Sequence, residues 1–409
     1  MPQSDFKVYR SRWIMLSVYM LMVAINQLLW ITFAPITGDA TKFYNVSDLK
    51  IGILSMCFMI VYIIVSIPAS WIIDKYGIRI GVGIGAVFTG VFGLIRGFAG
   101  PNYDLLLIAQ IGIAVGQPFI LNAITKLAAR WFPIEERATA TGLGTLAMYI
   151  GILVGMTLTP YLTLGSGING MLYIYGIISI ITTAVFIVLI KERPPTAPCR
   201  PDQEGRSLVF DGFKQTLINK DFIWLMVIFF IELGVFNAVT TWIEDILRPR
   251  GFSATQAGIT GGLMIVGGVV GALIIPLLSD RYKKRIPFII IALVGATVGL
   301  TGITFATSYW MLLTSGMVLG FFLLSSGPIG FQYGAEITYP ASEGTSNGML
   351  LMMGQISGIA FIFAMDSLKS SLTGSMTRSL MVLIGLMLFS ILISFRLKES
   401  TILTKEADH

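Results

Sequence analysis

The sequence is poor in the side chains that most enzymes and metal sites use. Its 409 residues include one histidine, the terminal His409, and two cysteines, Cys57 and Cys199. Because these thiols have no metal-binding spacing, neither a bound metal nor a disulfide between them is expected. Motifs that hold nucleotides or activate nucleophiles, such as the P-loop, HExxH and GxSxG, are also missing. We therefore expect no enzyme activity and no cofactor.

Charge is scarce as well. Charged residues make up 12% of the chain, 55% of the residues are hydrophobic and the mean hydropathy is +0.81, whereas an ordinary soluble domain is about 25% charged. Because roughly 20 apolar residues cross a bilayer as a helix, the apolar windows of that length are candidate spans. They cover residues 13–37, 50–73, 80–99, 104–131, 137–162, 170–190, 222–246, 255–279, 286–307, 309–333, 345–368 and 376–395. The sequence predicts an all-α membrane protein with twelve transmembrane helices in a lipid bilayer.

The formal net charge of +6 comes from Lys and Arg residues that are unevenly distributed among the loops. With the N-terminus placed inside, roughly three quarters of the Lys and Arg residues fall on inner segments, as the positive-inside rule requires. The rest, among them Arg96, are counted with the outer segments. This pattern predicts cytoplasmic termini and a location in the cell membrane. It also explains the basic excess without nucleic acid as a partner.

The chain repeats itself across a central linker. Asp280 follows Asp74 by 206 positions, and Pro340 follows Pro133 by 207, each pair in a similar local sequence. Two landmarks at nearly one offset indicate a duplicated six-helix unit, as in many secondary transporters. The predicted parts are an N-terminal half over 1–190, a Pro-rich cytoplasmic linker over 191–221 and a C-terminal half over 222–409 with a short cytoplasmic tail.

The loops after spans 2 and 8 carry acid–base turns. They read DKYGIR from Asp74 to Arg79 and DRYKKR from Asp280 to Arg285. Taken singly, they are equally well explained as charged interfacial loops. Their sequence resembles the loop signature of the major facilitator superfamily, with Ser70 and Pro276 in place of its first glycine. The resemblance implies two six-helix halves of that fold, with Asp74 near the start of span 11 and Asp280 near the start of span 5, as gates.

Other stretches resemble a narrower family. They are NQLLWI over 26–31, GQPFILNAITKLAARWFPIEERATA over 116–140, GVFNAVTTWIEDIL over 234–247, and GPIGFQYGAEITYPASEGTSNG over 327–348, the most specific of the four. Together they are similar to the heme and choline carrier branch of the superfamily, the relatives of the feline leukaemia virus subgroup C receptor. The resemblance covers most of the twelve-span core and implies a carrier of small organic solutes.

Span 10 carries a predicted helix breaker. Gly327-Pro328 interrupts the hydrogen-bond ladder of an apolar helix and is expected to bend it, and Glu336 lies near its cytoplasmic end. Gly330, Gly334 and Gly344 are expected to allow close helix contacts. Two explanations of the segment itself are open, a packed hinge and a direct contact with the substrate. The full set of gating candidates is Asp74, Arg79, Arg130, Asp280, Arg281, Gly327, Pro328 and Glu336.

Solute sites in such carriers lie near the bilayer centre, so polar and aromatic residues near the middle of spans are the candidates. They are Asn26, Gln27, Trp30, Gln117, Asn122, Tyr149, Glu232, Asn237 and Gln355. The family resemblance makes Trp30, which shares a helical face with Asn26 and Phe33, a wall of the substrate cavity. For the amides of Gln117 and Asn122, helix–helix hydrogen bonding is an equally good explanation. At Asn237 the family usually carries an aromatic residue.

Glu232 is the most informative of these residues. An acidic side chain near the centre of a span costs about 2.5–3.5 kcal/mol on insertion scales. It could attract a cationic solute, carry a proton during transport, or be a protonated structural acid. No arginine or lysine falls near the centre of a predicted span, which favours a cationic or neutral solute over an anionic one.

These observations favour a secondary active transporter, expected to be a monomer, that moves an organic cation of the choline or ethanolamine type by alternating access. One alternative is a carrier of heme, another organic anion or a neutral vitamin-like solute, with or without proton coupling. Another is a membrane receptor or sensor that binds its ligand without moving it. Substrate identity, direction of flux and coupling ion are open at this point.

Overall fold

The computed structural model describes residues 8–196, 213–339 and 343–399. Cys199, His409, the repeat landmark Pro340 and most of the predicted linker lie outside the described residues. The helices before residue 197 and those after residue 212 form two compact units, the first and the second unit below.

Both units consist mainly of long helices, with a few short helices and short connections between them. The first unit contains α1 (Ser11–Ile31), α2 (Thr37–Tyr44), α3 (Asp48–Tyr76), α4 (Ile78–Gly97), α5 (Tyr103–Leu121), α6 (Ile124–Trp131) and α7 (Ile134–Leu189). The second contains α8 (Phe213–Ile218), α9 (Lys220–Thr241), α10 (Ile243–Leu247), α11 (Ala254–Tyr282), α12 (Ile286–Phe305), α13 (Tyr309–Thr338), α14 (Glu343–Ser367) and α15 (Thr377–Ser394). Short 3-10 helices at Ala34–Ile36 and Arg248–Arg250 follow α1 and α10.

The helix α7 contains two predicted spans in one element. It has 56 residues and leaves helical geometry at Gly167, where φ is 69° and ψ is 174°. A straight helix of that length would measure about 84 Å, far more than the thickness of a bilayer. Gly167 supplies the left-handed backbone conformation that allows the turn. The eleven long apolar helices among the described residues therefore provide twelve spanning segments.

Pro328 of the predicted span 10 lies inside α13, which continues to Thr338. The helix is therefore not interrupted there, and the expected bend at Gly327-Pro328 stays a prediction. In a membrane, unpaired backbone groups are so costly that a helix is continued around a single missing bond. Gly330 and Gly334 pack against α9, as expected, through Phe229 and Leu225.

Gly344 differs from its prediction. A Cβ atom placed on Gly344 would meet no described heavy atom within 4 Å, so this glycine does not mark a close helix contact. The difference arises because Gly344 lies in the first turn of α14, where the helix has only begun to pack.

The first unit is filled by side chains from α1, α5 and α7. Leu16, Tyr19 and Met22 of α1 lie in one hydrophobic cluster with Ile120 and Ala147. The Tyr19 hydroxyl donates a hydrogen bond of 2.7 Å to the carbonyl oxygen of Ile120. In the second unit, α11 and α13 approach so closely that a Cβ atom on Gly320 would collide with the carbonyl oxygen of Met264.

The close contact between α11 and α13 leads to a prediction about stability. We expect Gly320→Leu to destabilise the protein by about 3 kcal/mol, because the added side chain must push α11 and α13 apart. The melting temperature of the purified variant measures the effect. Gly385→Leu is the matched control, since Gly385 faces open space on α15. Equal melting temperatures for the two variants would contradict the close packing.

Candidate functional site

The polar residues of α1 are directed into the first unit. Asn26 donates a hydrogen bond of 3.1 Å to the hydroxyl of Thr89 on α4, and the Gln27 amide donates to Asn26 at 3.4 Å. Both side chains are buried. These contacts join α1 to α4, so the helix-joining explanation accounts for Asn26.

Trp30 lies one turn further along the same face of α1. Its indole N–H donates a hydrogen bond of 3.2 Å to the carbonyl oxygen of Ser55 on α3, and the side chain is buried. Because the polar atom of the indole is occupied by the protein, the ring face is what Trp30 has left to offer a ligand. A ring held in this way suits contact with a cationic group.

Arg96 is a buried residue whose position the sequence reasoning missed. It lies inside α4 with an exposed fraction of 0%, and not in an outer loop. Its guanidinium donates to the carbonyl oxygen of Leu29 at 3.0 Å and to Gln110 at 2.9 Å, and it lies over the Phe33 ring at 5.8 Å. The signal was available, because window 80–99 includes position 96. Only the fold supplies the acceptors that make its burial tolerable.

Asn122 sits at the break between α5 and α6. Its amide donates to the hydroxyls of Ser66 and Ser70 on α3, at 2.9 and 3.0 Å, and its oxygen accepts from Tyr62 at 2.8 Å. In the second unit, Asn237 similarly donates to the carbonyl oxygen of Gly354 on α14 at 3.1 Å. Both amides are thus joined to a neighbouring helix.

Three other candidates keep their hydrogen-bonding groups available. Gln117 of α5, Tyr149 of α7 and Gln355 of α14 have side chains that make no hydrogen bond with another described residue, and none of the three is fully exposed. Partly enclosed polar groups without a protein partner can bind a ligand or water.

Glu232 is enclosed in the second unit. It lies on α9, its exposed fraction is 3%, and its Oε1 atom has no hydrogen-bond partner among the described residues. Ser326 of α13 is within hydrogen-bonding reach of the carboxyl group. No described arginine or lysine pairs with it, so its charge is uncompensated within the second unit. Such a buried carboxylate needs a cationic ligand or a proton.

The end of the first unit where α3 and α4 meet carries a network of charges. Asp74 pairs with Lys126 at 3.2 Å. Arg130 forms an ion pair with Glu192, whose carboxylate also accepts the backbone N–H groups of Ile78 and Arg79 at 3.1 and 2.8 Å. A carboxylate at a helix N-terminus is stabilised by these donors and by the helix dipole.

At this junction Gly77 has a φ of 93°, and a side chain there would collide with the carboxylate of Glu192. Only glycine fits both requirements.

The corresponding end of the second unit has the same construction. Glu399 accepts the backbone N–H groups of Arg285 and Ile286 at the start of α12. It follows Glu192 by 207 positions, the offset of the internal repeat. That offset is the sequence signal that could have identified both acids as members of the end networks.

Arg285 is the centre of this second network. It pairs with Asp280 and, at 3.0 Å, with Glu336. Burial lowers the pKa of Arg285, but the hydrogen bonds to Asp280 and Glu336 outweigh burial and raise it above its usual value. Arg281, the predicted gating residue next to Asp280, is exposed. The expected approaches of Asp74 to span 11 and of Asp280 to span 5 join different units and stay predictions.

The C-terminal end of the predicted span 7 holds two acidic residues, Glu244 and Asp245, that were not predicted as site residues. Asp245 of α10 is buried and pairs with Arg248 and, at 2.6 Å, with Lys369. Glu244 pairs with Arg248 at 3.4 Å. These charges compensate one another, in contrast to Glu232.

The comparisons with known proteins agree with this architecture. The sequence profile of the Major Facilitator Superfamily matches residues 15–362. A bacterial homologue of the human lysosomal transporter Spinster, solved in an inward-facing and unoccupied conformation, has the same fold, with a TM-score of 0.76, 14% identity, and coverage of 95% of this chain and 97% of that chain. The chain therefore belongs to the Major Facilitator Superfamily and is a multi-pass membrane transporter of a small-molecule solute.

The curated relatives narrow the family. Solute carrier family 49 member A3 of Xenopus tropicalis is 30% identical over 89% of this chain and 79% of its own length. The choline/ethanolamine transporter FLVCR2 of Homo sapiens is 27% identical over 88% of this chain and 72% of its own length. The similarity places the chain in solute carrier family 49, and the resemblance drawn from the four sequence stretches is confirmed.

Proposed function

We propose that this chain is a secondary active transporter that moves a small organic cation of the choline or ethanolamine type by alternating access. The observation that carries the proposal is Glu232, an enclosed carboxylate of α9 with one unpaired oxygen and no basic partner among the described residues. A cation bound there would restore charge balance, which an anion could not do. The names of the relatives, choline/ethanolamine transporters among them, support the same substrate class.

The remaining contacts would come from polar groups without a protein partner. Gln117, Tyr149 and Gln355 offer amide or hydroxyl groups that suit the single hydroxyl of choline or ethanolamine. The Trp30 ring would supply cation–π attraction to the ammonium group. In this proposal the paired amides of Asn26, Gln27, Asn122 and Asn237 hold the helices that present these groups.

Alternating access requires contacts that form and break at the ends of the helices. We assign this role to the predicted gating residues and their partners. Within the units, Asp74 pairs with Lys126, Arg130 with Glu192, and Arg285 with Glu336. The proposal also keeps the halves 1–190 and 222–409 with a linker between them, a cell-membrane location, cytoplasmic termini and a monomer.

The proposal is tested by uptake into sealed liposomes that contain the purified full-length chain. We expect saturable uptake of labelled choline or ethanolamine, competed by the other compound and absent from empty liposomes. Uptake of heme, an organic anion or a neutral vitamin-like solute with no uptake of either amine would overturn the substrate class. Binding of choline with no uptake would overturn transport itself.

The Trp30 ring gives a graded prediction. Trp30→Phe keeps an aromatic face, whereas Trp30→Leu removes it while keeping a large apolar side chain. We expect Trp30→Leu to raise the KM for choline about ten-fold through loss of cation–π attraction, with a smaller rise for Trp30→Phe. Initial uptake rates across a concentration series measure both. Equal KM values in the two variants would show that the ring face is not used.

The second candidate function is proton-coupled transport through Glu232. The unpaired oxygen of its carboxyl group favours this function as well as the binding of a cationic solute. A carboxylate without a basic partner can be neutralised by a proton as well as by a cationic solute. The two uses differ in their pH dependence, which is measured by uptake with and without an imposed proton gradient. Proton coupling requires that the gradient accelerates uptake.

A further inference from the structure

We propose that the first unit binds an anionic phospholipid in a groove between α4 and the part of α7 after Gly167, with the phosphate at Arg79 and Lys191. This site is separate from the polar residues assigned to the solute. It requires only that the chain spans a membrane, so it does not rest on the proposed substrate.

The groove is apolar and about 600 Å³ in volume. Its lining includes Ile80, Gly83, Ile84, Val87, Ile187 and Ile190. The α4 positions recur at three- and four-residue spacing and so form one face about 11 Å long. Ile80, Val87 and Ile187 are exposed, and on a spanning helix such surface meets hydrocarbon. A surface of this kind suits an acyl chain.

Gly83 gives the groove its depth. A Cβ atom on Gly83 would meet no described heavy atom within 4 Å, although Ile80 and Ile84 stand on the same helix face. The missing side chain therefore leaves space and does not allow a helix contact. A larger residue at this position would fill the groove without disturbing the packing of α4, which makes Gly83 a suitable site for a test.

One end of the groove is basic. Arg79 and Lys191 are exposed, and neither side chain forms an ion pair or hydrogen bond with another described residue. The two lie at the same end, because the Glu192 carboxylate accepts the backbone N–H groups of Ile78 and Arg79. Glu192 itself pairs with Arg130, so it does not neutralise Arg79 and Lys191.

The apolar groove and the two cations at its end together select a phospholipid with net negative charge. The guanidinium of Arg79 can hold a phosphate through two parallel hydrogen bonds, and a second cation disfavours headgroups whose amine cancels the phosphate charge. Basic pockets beside transmembrane helices bind anionic lipid headgroups by the same attraction. The acyl chain adds burial in the groove, which a free phosphate ion cannot supply.

Native mass spectrometry of the detergent-purified full chain tests the site, with dioleoyl phosphatidylglycerol and dioleoyl phosphatidylcholine as the probes. We expect one phosphatidylglycerol to be retained preferentially. Removing both cations in Arg79→Gln with Lys191→Gln should weaken its retention about thirty-fold. Gly83→Leu should weaken it as well, while Gly385→Leu, which adds the same side chain at an open position on α15, should not.

Three results would overturn the proposal. Equal retention of the two lipids would show that the cations select no headgroup. Loss of binding in the charge variant but full binding in Gly83→Leu would show a headgroup contact without the groove. Full displacement of the lipid by soluble glycerol phosphate would show that the acyl chain contributes nothing. Melting temperatures near that of the unmodified protein confirm that each variant is folded.

Discussion

Glu232→Gln is expected to weaken the binding of a choline-like cation about a hundred-fold, because it removes the charge of an enclosed carboxylate while keeping its shape. The effect of this substitution should appear mainly as a raised KM for choline uptake. Its melting temperature should stay the same or rise, since an unpaired buried carboxylate destabilises the folded protein. The Ser326 hydroxyl can still interact with the amide that replaces the carboxyl group.

Glu244→Gln is the matched control for this prediction. Glu244 is also a buried carboxylate of the predicted span 7, but it pairs with Arg248. Its replacement should lower the melting temperature and leave the KM for choline nearly unchanged. Glu232→Gln with an unaltered KM would refute a direct charge contact. If the KM were unaltered and acceleration by a proton gradient were lost, Glu232 would be the proton carrier instead.

The spanning helices could be predicted from the sequence because hydrophobic burial in a bilayer depends on local composition. All twelve predicted windows coincide with helical segments of the structure. The turn of α7 at Gly167 lies between the predicted spans 137–162 and 170–190, as expected. At Pro328 the sequence shows a missing hydrogen-bond donor, and α13 continues through it. The prediction for Gly344 is wrong because whether a glycine marks a close helix contact depends on its tertiary surroundings.

The residue types of the candidate site could be predicted, but their partners could not. Trp30 and Asn26 share a helical face, and the sequence cannot show that one contacts α3 and the other α4. Arg96 was counted with the outer segments, although it falls inside the predicted window 80–99. The backbone oxygen of Leu29 and the amide of Gln110, which make its burial tolerable, are brought to it only by the fold.

The repeat is the level at which local sequence and fold agree best. The acidic residues Glu192 and Glu399 have the same offset as Pro133 and Pro340, and both cap the start of a helix. Duplication has therefore preserved a local hydrogen-bonding arrangement. The ion pairs around it differ between the units: Glu192 pairs with Arg130 in the first, whereas Arg285 pairs with Glu336 in the second.

Arg285→Gln is expected to destabilise the second unit by about 3–5 kcal/mol, because it leaves a buried carboxylate without its partner. The side chains of Arg285 and Glu336 are 7% and 8% exposed, and the Arg285 guanidinium also contacts Asp280, whose side chain is 62% exposed. The exposed pair is screened by solvent and contributes less than about 1 kcal/mol. Asp280→Asn should therefore have only a small effect. The melting temperatures of the purified variants measure both changes.

A double variant separates the pair from its surroundings. In Arg285→Gln with Glu336→Gln no charge is left buried, so we expect this protein to be more stable than Arg285→Gln alone. The uptake rate of this double variant tests the proposed gate. If the network must break in each transport cycle, a network that is too strong slows uptake. Loss of the network would instead let solute leak through the protein. A double variant no more stable than Arg285→Gln would show that Glu336 is stabilised by other contacts. In that case Arg285 would act through Asp280 or through the packing of its side chain.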